Sequence, residues 1–319
     1  MTYRVKLRFR APLHVGFMDT AYELSDTLIH SDTIFSALIC SHALLYGEDC
    51  TDELLRALVE GKTRLLISSA FPSVGNVHFF PKPKGEDFGL SKNSLSSSSQ
   101  FKKLKKVRFV DEDVLFKRAQ VSLENVRGQF LTKDREALKE EPFLIIERPR
   151  VSVNRYDSSS NLFYFAEVHF NENAGLWFYL SADANIEKEI LSALKLLSEE
   201  GFGGDRTYGF GTFDFELEQT TVPNSGNRYL LISVCVPNTS EVKAVPEKVL
   251  NYDLVHRTGY VHMSDRRAKK VLAFAEGSVF KEPIEGTILD VSPEGFEQQY
   301  GHRVFRYARA FLVAYEGGD

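Results

Sequence analysis

A strand–helix–strands–helix–strand order over residues 3–218, two amphipathic helices placed correctly within it, and a second strand-rich stretch after Pro223 predict an α+β protein. That order is the βαββαβ arrangement of a ferredoxin-like (RRM-like) domain, here with a long insertion and a glycine-rich loop. A first domain over 1–222, with an inserted basic arm near 82–140, and a degenerate second ferredoxin-like domain over 223–319 are expected. The length of 319 residues suits two domains of ordinary size.

Residues 3–15 (YRVKLRFRAPLHV) alternate in character. Val5, Leu7 and Phe9 fall on one face and Arg4, Lys6, Arg8 and Arg10 on the other, a half-buried strand with a cationic face. From Ser31 the period becomes 3.6: Ile34, Phe35, Leu38, Ile39 and Leu45 form a helical stripe that Ser31 or Asp32 would cap and Gly47 would end. A second helix over 52–60 stops at Gly61, and strands are expected at 63–70 and 76–81. Residues 82–106 are rich in Pro, Gly, Lys and Ser (94 and 96–99) and read as a mobile excursion. It ends in a basic run where Lys102, Lys103, Lys105, Lys106 and Arg108 are five of seven residues.

PRVSVNRYDSSSNLFYFAEVHF then reads as two strands around a polar turn at 157–161, with another strand at 177–180. Residues 185–199 carry Ile186, Ile190, Leu191, Leu194 and Leu197 on one helical stripe, which runs into GFGGDRTYGFG (201–211) and the strand TFDFELE. Beyond Pro223, a strand at 228–236, another near 244–250, and apolar runs at 270–275 and 304–315 make the second unit.

Composition narrows the function. The 39 basic and 44 acidic residues leave a net charge of -5, so this is not a generally basic, nucleic-acid-coating chain. The halves are similar, with 27 basic against 32 acidic residues up to Pro223 and 12 against 12 after it. Any polyanion contact must come from local patches. Cys40, Cys50 and Cys235 form no CxxC, which excludes a disulfide scaffold or a Cys-type zinc site by spacing. No HxxxH or HExxH occurs, so neither a metal nor a cofactor is expected. The opening MTYRVKLRFR lacks the apolar stretch of a secretory signal, and no apolar run approaches the roughly 20 residues of a membrane span. An intracellular protein without a membrane partner is expected.

Five of the eleven residues in 201–211 are glycine. Nucleotide loops run strand, loop, helix, whereas this one runs helix, loop, strand, and GxGxxG would need glycine where Arg206 stands. Two readings remain open. In one, the glycines simply end a helix and make a tight turn. Alternatively, the missing Cβ atoms let a ligand strand approach the amides of Gly203, Gly204, Asp205 and Gly209, while Arg206 adds charge and Tyr208 or Phe210 a stacking face.

His14 closes the first strand and His30 precedes the first helix, so the pair invites an acid–base reading as a metal-independent endoribonuclease. No triad-like spacing supports it, and both fit better as structural or phosphate-contacting residues lining a groove with Ser31. Asp32 lies in the first helical turn, where a carboxylate favours the helix dipole. Arg150 and Arg155 flank a strand turn and suit phosphate or a paired acid.

GFGGDRTYGFGTF resembles the glycine-rich loop of the RAMP superfamily of CRISPR–Cas proteins. RAPLHVG, LIHSDTIFSALICS, KKLKKVRFVDEDVLF, PRVSVNR, RTGYVHMSDRRAKKVLAFAEGSVF and GHRVFRYARAFLV extend the likeness in order over nearly the whole chain. Together they resemble the Csm subunit-four family of type III-A effector complexes. The resemblance implies two ferredoxin-like folds, no nuclease activity, and a prokaryotic, cytoplasmic ribonucleoprotein subunit. It also implies recognition of the repeat-derived 5′ handle of crRNA and docking on the large HD–Palm polymerase-like subunit and the backbone RAMP subunits. A stand-alone RAMP endoribonuclease that processes CRISPR repeat transcripts is the alternative.

Overall fold

The computed structural model describes residues 1–16, 22–90 and 98–318, with the backbone alone for 98–101. It is mixed α+β and dominated by sheet. The first half contains β1 (Thr2–Phe9), α1 (Ser31–Tyr46), α2 (Glu48–Val59), β2 (Leu65–Ile67), β3 (Phe71–Val74) and β4 (Val77–Pro81). The insertion adds α3 (Ser98–Lys106), β5 (Phe109–Asp111), α4 (Glu112–Phe116), β6 (Val126–Arg127) and β7 (Phe130–Leu131). A hairpin of β8 (Phe143–Val153) and β9 (Ser160–Phe170) precedes β10 (Ala174–Ala182), α5 (Glu187–Glu200) and β11 (Phe213–Gln219).

The main sheet has the order β11-β1-β10-β3-β4-β5-β7-β6, with β2 also paired to β10. Its pairings are antiparallel except β5 with β7. Val5 and Leu7 of β1 are buried, as their alternation requires. The cationic face is met in register by β11, with Arg4, Lys6 and Arg8 opposite Glu218, Glu216 and Asp214. Lys6 pairs with Glu218 at 3.3 Å, Arg8 with Glu216 at 3.2 Å and Arg10 with Glu199 at 2.9 Å. Each exposed pair contributes little to stability. Together they neutralise Lys6, Arg8 and Arg10, while the buried Arg4 of the same face pairs with Glu112 at 2.7 Å.

Helix α1 buries Ile34, Phe35 and Leu38 and stops at Gly47, whose φ of +85° suits a residue without Cβ. It packs against α5. Neither Ser31 nor Asp32 caps it: His30 is the N-cap residue and makes no side-chain cap bond, because the Ser31 and Asp32 side chains turn inward. The stretch after the basic run is part of the main sheet. Val107, Phe109, Val110, Val114, Leu115, Phe130 and Leu131 are all buried, and 107–131 joins the sheet. Asp111 fixes this turn, accepting from Val114 N–H at 2.7 Å, Thr132 Oγ1 at 2.6 Å and Lys133 N–H at 2.7 Å. Ser94, Ser96 and Ser97 lie outside the described residues.

The second half contains β12 (Arg228–Leu231), α6 (Val245–Lys248), β13 (Val249–Asn251), β14 (Leu254–Arg257), β15 (Val271–Phe274) and β16 (Val279–Phe280). It closes with β17 (Gly286–Asp290), α7 (Phe296–Tyr300), β18 (Phe305–Arg309) and β19 (Leu312–Tyr315). One sheet runs β13-β16-β12-β19, and β14–β15 and β17–β18 are hairpins. The strand expected near 244–250 starts instead as the short α6, with proline at its N-terminal end. Its helices span only four and five residues, so it is the less regular half.

The halves share one core. Ile232, Tyr307, Phe311 and Tyr315 belong to the apolar cluster of Phe35, Phe71 and Tyr179. Ile67 N–H donates to the Tyr307 hydroxyl at 2.9 Å and Ser69 N–H to Ile232 O at 2.8 Å. Among the described residues no helix is long and apolar enough to cross a membrane.

Candidate nucleic-acid interface

The glycine loop is held between α5 and the segment that follows β1. Gly201 N–H closes the helix on Leu197 O at 2.8 Å, Gly204 N–H donates to His14 O at 2.9 Å and Gly211 N–H to Pro12 O at 2.8 Å. Gly201, Gly203 and Gly211 have φ of +82°, +83° and +71°. A Cβ on Gly201 would lie 2.3 Å from Phe210 O, on Gly203 2.0 Å from His14 O, and on Gly211 2.0 Å from Phe202 O. The tight approaches at these three glycines are therefore to the chain's own backbone. Gly209, at φ +81°, has open space where its Cβ would point.

The outer rim is different. Asp205 is left-handed at φ +57° and leads into a single 3-10 turn at Arg206–Tyr208. Within the loop, the amides of Tyr208, Gly209 and Phe210 bond back to Asp205 O and Arg206 O. The N–H groups of Gly203, Asp205, Arg206 and Thr207 meet no acceptor among the described residues. A left-handed residue followed by right-handed ones turns successive N–H groups to one side, which is the geometry of an anion nest. These residues line a shallow depression whose helix side is Glu199 and Glu200. Arg206 reaches His262 Nδ1 at 3.4 Å, and Tyr208 is 79% exposed beside it. Burial, and then the nearby guanidinium, lowers the His262 pKa.

The loop is tied sideways to the β8–β9 hairpin. Arg150 pairs with Asp205, lies 3.4 Å from the buried Glu167, and sits over the Phe165 ring at 3.9 Å. Arg148 and His169 reach the same Glu167 at 2.9 and 3.1 Å. Glu167 is a site member that the sequence reading missed; its signal is one carboxylate within the apolar run FYFAEVHF. Arg155 lies at the exposed hairpin turn.

His14 is buried, with its ring 4.2 Å from that of Phe165. Its Nδ1 faces Ala166 O at 2.8 Å, and since a carbonyl only accepts, that nitrogen carries the proton. His14 thus belongs to the underside of the glycine loop.

His30 and Ser31 lie elsewhere, at the junction of the two halves. His30 Nδ1 meets Glu276 at 2.7 Å, and Asp26 lies 3.8 Å from its Nε2. The fully buried Ser31 accepts Val234 N–H at 3.1 Å, and its own N–H donates to Ser69 Oγ at 2.9 Å. Arg257 grips Asp32 through two bonds of 2.9 and 2.8 Å, and Arg306 adds a third at 2.5 Å. Burial alone would raise the Asp32 carboxyl, but the two guanidinium groups hold it well below the usual carboxylate range. Burial opposes ionisation of Glu276 too, yet His30 and Ser69 leave it lowered.

Lys102, Lys103, Lys105 and Lys106 are exposed along α3 and form no ion pair among the described residues. Arg108, half exposed, lies 3.8 Å from Asp26. Hydrogen bonding connects the regions: Asp26 N–H donates to Val15 O, next to His14. The structure thus gathers His14, Arg150, Gly203, Gly204, Asp205, Arg206, Tyr208 and Gly209 at one place. His30, Ser31 and Arg108 stand at a second, beyond the loop that follows β1.

The RAMP superfamily model matches residues 6–214, and the model of the CRISPR Csm4 C-terminal domain matches 224–315. A CRISPR system protein Csm4 from Mycobacterium tuberculosis is 30% identical over 312 residues, covering 93% of each chain. The chain belongs to the Csm4 family. The fold of this Csm4-family chain is also similar to that of solved relatives. A chain from a Csm1–Csm4 cassette in complex with cA4 matches over 100% of both chains with a TM-score of 0.65 and 19% identity. One from a Csm3–Csm4 subcomplex of the type III-A interference complex covers 99% of both, with a TM-score of 0.65 and 18% identity.

Proposed function

We propose that this chain is a non-catalytic subunit of a type III-A CRISPR–Cas (Csm) antiviral effector complex, acting in the prokaryotic cytoplasm. It binds the repeat-derived 5′ handle of crRNA and docks a large polymerase-like Csm1 subunit and a backbone Csm3 subunit. Its two halves, 1–222 and 223–319, are ferredoxin-like units of unequal regularity. Family membership supports the partners, since solved relatives pair Csm4 with Csm1 and with Csm3. The strand order β11-β1-β10-β2 with α1 against α5 supports the reading of the first half.

One observation carries the RNA assignment: the unpaired amides of Gly203, Asp205, Arg206 and Thr207 sit beside a cation and an exposed aromatic ring. A phosphate would accept from those N–H groups on the Arg206 side, away from Glu199 and Glu200, with a base stacking on Tyr208. Lys102, Lys103, Lys105, Lys106 and Arg108 supply a second, purely electrostatic contact. Photocrosslinking of crRNA in the assembled complex tests this. Crosslinks within 203–209 and 102–108 are expected, and their absence from both segments overturns the reading.

An architectural loop that meets only protein is the competing reading, favoured by the approach of Gly201, Gly203 and Gly211 to the chain's own backbone. The crosslinks separate the two. The endoribonuclease reading needs a histidine free to exchange protons. His14 is buried with one nitrogen committed, and His30 is held between carboxylates. Metal-independent cleavage of repeat RNA by the purified chain, abolished by His14→Ala or His30→Ala, would revive it.

A further inference from the structure

Away from the glycine loop, α1, α2 and the start of α5 bring three different donor types together. His42 of α1, Cys50 of α2 and Glu189 of α5 each offer one ligand atom, and these lie within 4.8 Å of one another. His42 is fully buried, Cys50 half buried, and the Glu189 side chain 38% exposed. The arrangement is closed on the imidazole side and open on the carboxylate side.

The Thr51 hydroxyl donates to Gly47 O at 2.8 Å, which leaves its oxygen to accept from His42 Nδ1 at 2.8 Å. With that bond made, the neutral ring carries its proton on Nδ1 and Nε2 presents a lone pair; with the hydroxyl turned to Nδ1 instead, Nε2–H donates to Glu189. In the first tautomer that lone pair faces Glu189 Oε2 at 3.4 Å. The two facing acceptors then call for a cation between them, either a proton or a metal ion. The thiol of Cys50 beside them favours the metal. A tetrahedral zinc with ligand bonds of about 2.0–2.1 Å has an N···O edge of about 3.3 Å, close to the spacing observed.

We propose that His42, Cys50 and Glu189 bind a zinc ion that pins α1, α2 and α5 together, with water as the fourth ligand. A soft thiolate beside imidazole selects zinc over magnesium or calcium. Binding releases the Cys50 thiol proton to solvent as the sulfur–zinc bond forms. Thr51 acts as the positioning residue, holding the His42 ring through Nδ1.

The test uses the purified full-length chain, titrated with zinc against a chromophoric chelator and, in parallel, with cobalt. About one zinc per chain is expected, together with a thiolate-to-cobalt charge-transfer band. Cys50→Ser and Glu189→Gln should each weaken zinc by at least about tenfold, and Thr51→Val by about tenfold. Cys40→Ser, at a neighbouring cysteine outside the cluster, should leave the affinity unchanged. The cobalt band needs no substitution, so its absence from the unsubstituted chain overturns the proposal whatever the variants do. Zinc bound equally well by a folded Cys50→Ser chain overturns it as well, and would leave the His42–Glu189 contact as a protonated ion pair.

Discussion

Two short polar motifs, HSDT at 30–33 and GGDRTYG at 203–209, end in opposite environments. The first is turned inward, with Ser31 and Asp32 buried and every side chain committed across the junction between the halves. The second keeps Gly203 against the chain's own backbone but exposes its rim. A polar motif at a helix start is thus no pointer to solvent. What separates the cases is the partner set: two arginines and a glutamate from the second half seal HSDT, whereas among the described residues the rim makes a single hydrogen bond to that half, to His262.

The largest effect expected from this contrast is at Asp32. Asp32→Ala leaves Arg257 and Arg306 buried without their anion and should cost about 3–5 kcal/mol in denaturant unfolding. A loss below 1 kcal/mol would show that the junction is not held by charge. Acid should reproduce the effect. The Asp32 and Glu276 carboxyls are lowered in the folded chain, so the unfolded chain binds more protons as pH falls through its own values near about 4. Stability from these groups is complete above that range and lost as pH falls through the folded values. Asp32→Asn should flatten the acid limb of a stability–pH curve.

Within the loop, Gly203 and Gly209 sharpen the comparison. Both have positive φ, but only Gly203 faces a backbone oxygen, at 2.0 Å from its would-be Cβ. Gly203→Ala should cost about 2–3 kcal/mol and Gly209→Ala about 1 kcal/mol. Equal losses would show that φ alone decides. Arg206→Ala should leave stability within about 0.5 kcal/mol, weaken handle RNA and reduce the salt slope of binding by about one. Smallest of all, Tyr208→Ala should cost about 1 kcal/mol of RNA affinity with no change in melting temperature. An unchanged affinity would remove stacking from the reading.

The longer elements were legible because each carries one clear period. The alternation of β1, the stripe of α1 closed by Gly47, and the two strands around 157–161 all fold as their residues require. The strands that follow the basic run were not legible, because β5, β6 and β7 are only two or three residues long and show no period. The cationic face of β1 was legible, but most of its balancing acids lie in β11, at the far end of the first half. The motifs grouped His14 with His30 and Ser31, whereas in the fold His14 lies beneath the glycine loop and the other two at the junction, because the pairing runs through backbone bonds no motif shows. No local spacing rule could join His42 to Glu189, 147 residues further along.

The edge contact at β2 has a practical consequence for dissecting the molecule. Ile67 and Ser69 hand their amide hydrogens to Tyr307 and Ile232 of the second half, so a truncation after 222 would strip both acceptors from a short apolar strand. Such a fragment would present raw sheet edge and the uncovered rings of Phe71 and Tyr179, a template for aggregation rather than a usable module. Swapping tails between relatives would meet the same obstacle unless the strand and its seal were exchanged as one piece.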